Sequence, residues 1–102
     1  MLELRPTCEH CNKALPPSST DAMICSFECT FCRHCAEVVL SGTCPNCGGG
    51  FVQRPVRPVN NWIGDNFLGK YPASTIIKYR PADLAAHALL LERLDNIAPE
   101  QR

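Results

Sequence analysis

Eight cysteines packed between Cys8 and Cys47 constrain this chain more than anything else in it. They run Cys8-x2-Cys11, then thirteen residues, then Cys25-x3-Cys29-x2-Cys32-x2-Cys35, then eight residues, then Cys44-x2-Cys47. A cysteine pair two residues apart sits on one tight turn that aims both sulfurs at a common point. Such a density marks a stapled mini-domain and not an ordinary apolar core. With 102 residues in all, the core alone would be marginal. The staple is therefore four disulfides or two metal ions.

Disulfides belong to oxidising compartments and usually follow a signal peptide. The start, MLELRPTCEH, lacks the basic-then-apolar pattern of a secretory signal, and no run approaches a membrane span. The expectation is a cytoplasmic chain with reduced thiols, and hence metal. Zn²⁺ takes four sulfur ligands in a tetrahedron, so Cys8, Cys11, Cys25, Cys29, Cys32, Cys35, Cys44 and Cys47 make two closed, structural sites. An iron–sulfur cluster is the rival occupant. The pair Cys44-Pro45-Asn46-Cys47 could also act as a redox dithiol, but a sulfur in a closed zinc site is largely inert. With eight cysteines satisfying two ions, His10 and His34 read as surface rings.

Two partitions fit the spacing. A sequential one groups Cys8, Cys11, Cys25 and Cys29, then Cys32, Cys35, Cys44 and Cys47. A cross-braced one groups Cys8, Cys11, Cys32 and Cys35, then Cys25, Cys29, Cys44 and Cys47. The stretch Ala36–Leu40 reads as a short helix starting at the second ligand pair, which favours cross-bracing in a treble-clef arrangement. Phe27 and Phe31 are then available as core between the sites.

The rest of the chain divides into a connector, 51–81, with four prolines, and a helix over 82–97. Residues 1–50 carry five acids and three bases, net −2, and residues 51–80 carry Arg54, Arg57, Lys70, Lys78 and Arg80 against Asp65, net +4. Four thiolates on one Zn²⁺ add about −2 more per site. The apparently neutral chain is thus an acidic module beside a basic tail. Trp62, Ile63, Phe67, Leu68 and Tyr71 lie in irregular sequence and suit docking, onto their own module or onto a partner. The stretch 73–79 reads as one short strand. Helix placement follows from Pro81 and Asp83 at the start and an apolar face of Leu84, Ala88, Leu91 and Leu94, with His87 at the core margin.

The pattern C-x2-C, C-x3-C-x2-C-x2-C, short helix, CPNC over residues 8–47 resembles a RING-type finger in its all-cysteine version. With MLELRPTCEHC, CSFECTFCRHC and CPNCGG, the chain also resembles a family of short, mostly bacterial zinc proteins described only as a domain of unknown function. The resemblance implies a small metal-stabilised α+β fold: a RING-like, treble-clef two-zinc module over 1–50, then an extended connector and a C-terminal helix. At the positions by which RING fingers recruit ubiquitin-conjugating enzymes, Pro45 matches and Val39 matches weakly, while His10 and Gly48 depart.

No nucleophile–base set or paired carboxylate can be argued, so an enzyme with a small-molecule substrate is not expected. The leading expectation is a non-catalytic zinc module that binds a protein partner or a second copy of itself. The alternatives are a RING-like ubiquitin-type ligase adaptor, and nucleic-acid binding through the basic connector with Trp62 or Tyr71 stacking on bases.

Overall fold

The computed structural model describes residues 1–102. Its regular part is a three-stranded antiparallel sheet in the order β2-β1-β3. Strands β1 (Ala22–Ile24) and β2 (Thr30–Cys32) form a hairpin in register Ala22 with Cys32 and Ile24 with Thr30. Strand β3 (Val52–Gln53) adds to the free side of β1. The hairpin loop needs a left-handed residue, and Glu28 supplies it at φ 64°. After β2 the chain makes one helical turn, Cys35–Val39, wound wider than an α-helix: the Leu40 N–H donates to Cys35 O and the Gly42 N–H to Ala36 O, both at 2.8 Å.

The core explains why such a fold needs help. Of its 12 clustered residues six are cysteines, and the others are Leu15, Ala22, Met23, Phe31, Ala36 and Leu40. Phe31 is fully buried, edge-on to Phe51 with ring centres 5.4 Å apart. Phe27, expected beside it, is 70% exposed on the hairpin loop. The alternation of Leu2 and Leu4 buries Leu4 but yields no strand.

The module runs past residue 50. Arg54, one residue beyond β3, is 1% exposed and donates to three main-chain carbonyls: Arg5 at 2.9 Å, Leu15 at 3.3 Å and Pro16 at 3.0 Å. Arg57 likewise clamps Leu2 O at 2.7 Å and Tyr71 O at 2.6 Å. The basic connector thus ties down the N-terminal lead-in. The stretch 73–79 is extended but joins no sheet, and Ile76 and Ile77 are 64% and 58% exposed. Trp62 and Ile63 do not dock on the module; both are 76% exposed.

Helix α1 spans Leu84–Leu94, shorter at both ends than 82–97. Asp83 caps it, accepting from the Ala85 and Ala86 N–H groups at 3.1 Å. Asp95 and Asn96 turn left-handed and end it. Its inner face is also rotated from the one expected. Leu84 and Ala88 are exposed, and His87, Leu90, Leu91 and Leu94 face inward at spacing i, i+3, i+4, i+7. The cause is His87, 4% exposed, whose Nε2–H donates to Leu40 O at 2.8 Å and sets the rotation.

Candidate metal centres

Two of the cysteine pairs sit on the same loop. In the first, the Cys8 N–H donates to Lys13 O at 2.8 Å and the Asn12 N–H to Cys8 O at 2.9 Å. In the last, the Cys44 N–H donates to Gly49 O at 2.8 Å and the Gly48 N–H to Cys44 O at 2.8 Å. In each, the residue after the second cysteine is left-handed, Asn12 at φ 64° and Gly48 at φ 78°. That backbone demand accounts for glycine at 48, where a RING finger often carries a cation. The hairpin loop presents Cys25 and Cys29 at one end of β2, and Cys32 and Cys35 stand at the other.

Strand β2 separates the two centres. Cys29 and Cys32 are three residues apart on extended chain, about 10 Å, and an odd separation turns their side chains to opposite faces. They cannot share one ion. Both partitions respect that; what tells them apart is that the sulfurs of Cys8, Cys11, Cys32 and Cys35 lie within 4.8 Å of one another, the cross-braced grouping. Cys25, Cys44 and Cys47 form the second group on the same criterion. Cys29 stands just outside it, with its Sγ accepting from Asn46 Nδ2 at 3.5 Å.

The donor set fits a divalent metal. All eight cysteines are unpaired thiols. Cys11 Sγ and Cys32 Sγ are 3.8 Å apart. That is far beyond an S–S bond of about 2.0 Å. It equals the ~3.8 Å edge of a sulfur tetrahedron with Zn–S of about 2.3 Å. Main-chain N–H groups already point at several sulfurs: Cys11 at Cys8, Cys35 at Cys32, Phe27 at Cys25 and Gly49 at Cys47, at 3.3–3.5 Å. Such bonds favour thiolates.

The thiols do not titrate alike. Burial pushes Cys35 up, and the neighbouring Cys32 and Cys8 sulfurs add to it. Burial also pushes Cys44 up, with Cys25 and Cys29 adding charge repulsion. Cys32 is raised by burial too. At Cys11 burial pushes the same way, but the hydrogen bonds from the Lys13 main chain and the neighbouring thiols outweigh it and the thiol is lowered. Cys11 therefore ionises ahead of Cys32 and Cys35. Groups whose pKa is raised hold their protons until a cation displaces them. Metal loading is expected to release protons, and occupancy of both sites to fall as pH falls. A zinc indicator followed across an acid titration measures this; occupancy independent of pH would contradict it.

A buried carboxylate links the two centres, and no motif or spacing marks it. Glu9, between the first two cysteines, is 2% exposed. Its Oε1 accepts from Asn46 Nδ2 at 3.1 Å and faces the Arg80 guanidinium at 2.5 Å, and Arg5 lies 3.8 Å from Oε2. Asn46 therefore bridges Glu9 in the first loop to Cys29 at the second centre. Asn46→Ala is expected to speed metal loss to a chelator by about tenfold or more, chiefly from the second centre. Equal rates for variant and parent would show that the bridge does not hold Cys29. His10 is no ligand here either: its Nδ1 accepts the Ala82 N–H at 3.0 Å.

Fold and site define a small cysteine module with two clusters able to hold metal. The family profile described as Protein of unknown function (DUF1272) matches residues 1–57, just over half of the chain. An uncharacterized protein of Rhizobium meliloti (strain 1021) is 59% identical over 85 residues, covering 83% of this chain and 94% of that protein. The chain belongs to the DUF1272 family. No solved structure matches it. The family match ends on the two clamping arginines, so it takes in the sheet and both cysteine groups. No helix is long and apolar enough to cross a membrane.

Proposed function

We propose that this chain is a non-catalytic scaffold built on two structural Zn²⁺ ions, whose surfaces serve protein–protein interaction. The observation that carries it is the four-sulfur group Cys8, Cys11, Cys32 and Cys35, whose sulfurs lie within 4.8 Å of one another, Cys11 and Cys32 at 3.8 Å. Cys29 completes the second site on this reading, giving the interleaved, RING-like ligand order. Closed sites leave no position for a substrate or water, so the metal serves folding and the surface serves function. Unpaired thiols suit a reducing, cytoplasmic compartment.

The two alternatives lose support on specific contacts. A ligase adaptor would recruit through the face around His10, Val39 and Pro45. Here His10 is bonded to Ala82, and Pro45 lines a small cavity with Ala86, His87 and Leu90 of α1. The chain's own helix occupies that face. Nucleic-acid binding would need free cations, but Arg54 and Arg57 clamp carbonyls, Arg80 faces Glu9, Lys78 lies 3.8 Å from Glu3 and Lys70 lies 3.9 Å from Asp65.

Native mass spectrometry of the purified protein tests the proposal. Two zinc ions per chain, retained against a chelator, are expected. Iron in place of zinc, or rapid loss of both ions, would overturn it.

A further inference from the structure

The two centres are built differently. At the first, the sulfurs of Cys8, Cys11, Cys32 and Cys35 all converge; at the second, Cys25, Cys44 and Cys47 converge and Cys29 stands outside, against Asn46. What lies over them differs too. The first cysteine loop is backed by residues 80–82 of the connector: the Arg80 N–H donates to Glu9 O at 2.8 Å and the Ala82 N–H to His10 Nδ1 at 3.0 Å. That stretch is anchored on both sides, by the Ser74 N–H on Leu4 O at 3.1 Å before it and by the His87 bond to Leu40 O after it.

The second loop is covered by residues 97–102 instead. They wind into one tight turn, with the Ile97 N–H donating to Leu94 O and the Gln101 N–H to Ala98 O, both at 2.8 Å. From this turn Arg102 reaches across. Its Nη1 donates to Thr43 Oγ1 at 3.1 Å and to Gly48 O at 3.2 Å, and its Nε donates back to Ile97 O at 2.9 Å. Thr43 immediately precedes Cys44 and Gly48 immediately follows Cys47, so one guanidinium brackets the ligand pair. Pro99 packs on the same loop: a Cβ on Gly50 would stand 3.0 Å from Pro99 Cβ, and glycine there lets the two lie this close. The cover is lightly held. Helix α1, from which it hangs, buries only His87, and Arg102 itself is exposed. Segments with few buried contacts open locally at low free-energy cost.

We propose that the second centre is an exchangeable metal site gated by residues 97–102, with Arg102 as the clip, while the first centre keeps its ion for folding. Opening frees the Cys44–Cys47 loop, whose Cys47 is already exposed, to an incoming thiophilic divalent cation. One cation enters as one leaves, and the four thiolates keep their charge. The inference rests on the reading of the chain as a two-zinc scaffold, and names how one of its sites is regulated.

Addition of Cd²⁺ to the zinc-loaded full chain tests it. Native mass spectrometry counts the ions replaced with time, and cadmium NMR assigns each through its couplings to cysteine β-protons. One ion is expected to be replaced about tenfold or more faster than the other, and the first cadmium signal to correlate with Cys25, Cys44 and Cys47. Arg102→Ala is expected to speed the fast replacement about threefold or more and to leave the slow one unchanged. Arg102→Lys, which keeps the charge but loses the fork, should fall between. Equal rates at the two centres, a first signal from Cys8, Cys11, Cys32 and Cys35, or an Arg102→Ala protein whose fast rate is unchanged or whose two rates rise together overturns the inference. Two zinc ions at the outset leave the scaffold reading standing in each of those cases. Fewer than two in the unsubstituted protein would instead remove that underlying reading.

Discussion

A Cys35→Ser protein is expected to lose one metal ion and, with it, the folded state of the module. Cys35 is 2% exposed and starts the helical turn that follows β2. Its site closes the chain between the first loop at Cys8 and Cys11 and the end of the hairpin at Cys32. Structural zinc contributes about 10–16 kcal/mol per site in small peptides. Whole domains are stable by only about 5–15 kcal/mol. The cluster of six apolar residues and six cysteines has no other source of comparable size. Loss of amide dispersion in NMR spectra, with one ion or none by mass spectrometry, is the expected result. A folded variant retaining one ion would mean that the sites fold independently, against the shared hairpin and the Glu9–Asn46 bridge.

Arg54→Ala is expected to cost about 3 kcal/mol or more, the largest effect of any substitution outside the cysteines. The guanidinium is buried, and that burial pushes its pKa down without any carboxylate to oppose it. Hydrogen bonds to a charged group contribute about 1.5–3 kcal/mol, and Arg54 makes three, two of them to the Arg5 and Leu15 carbonyls that would be left unpaired. Arg54→Lys keeps the charge but loses the planar fork, so it should fall between parent and alanine. Urea unfolding at fixed free zinc, which removes the linkage to metal binding, measures both. An alanine variant within about 0.5 kcal/mol of the parent would show that the clamp is idle.

The cysteine spacing made the metal groups legible because a C-x2-C turn is local: its backbone bonds close within six residues. Cross-bracing was harder, and what favoured it was the short helix after Cys35. The structural reason is that Cys32 and Cys35 come up against Cys8 and Cys11, a meeting across 21 residues between Cys11 and Cys32 that local spacing does not encode. Helix α1 was visible through Asp83 and its leucines, but its rotation was not. An apolar stripe assigned inward residues by hydrophobicity, and the structure assigned them by a hydrogen bond from His87 to Leu40. The basic connector misled most. Its positive charge suggested a partner, whereas Arg54, Arg57 and Arg80 serve the chain's own carbonyls and the Glu9 carboxylate. Those contacts span 38 to 71 residues of sequence, and nothing in local composition encodes them.

The central claim is that the eight cysteines hold two ions in interleaved fours. Cadmium NMR of the metal-substituted protein tests it most directly, because each ion shows scalar coupling to the β-protons of its own cysteines. One signal correlated with Cys8, Cys11, Cys32 and Cys35, and a second with Cys25, Cys29, Cys44 and Cys47, is the expected result. Correlation of one ion with Cys8, Cys11, Cys25 and Cys29 would contradict it.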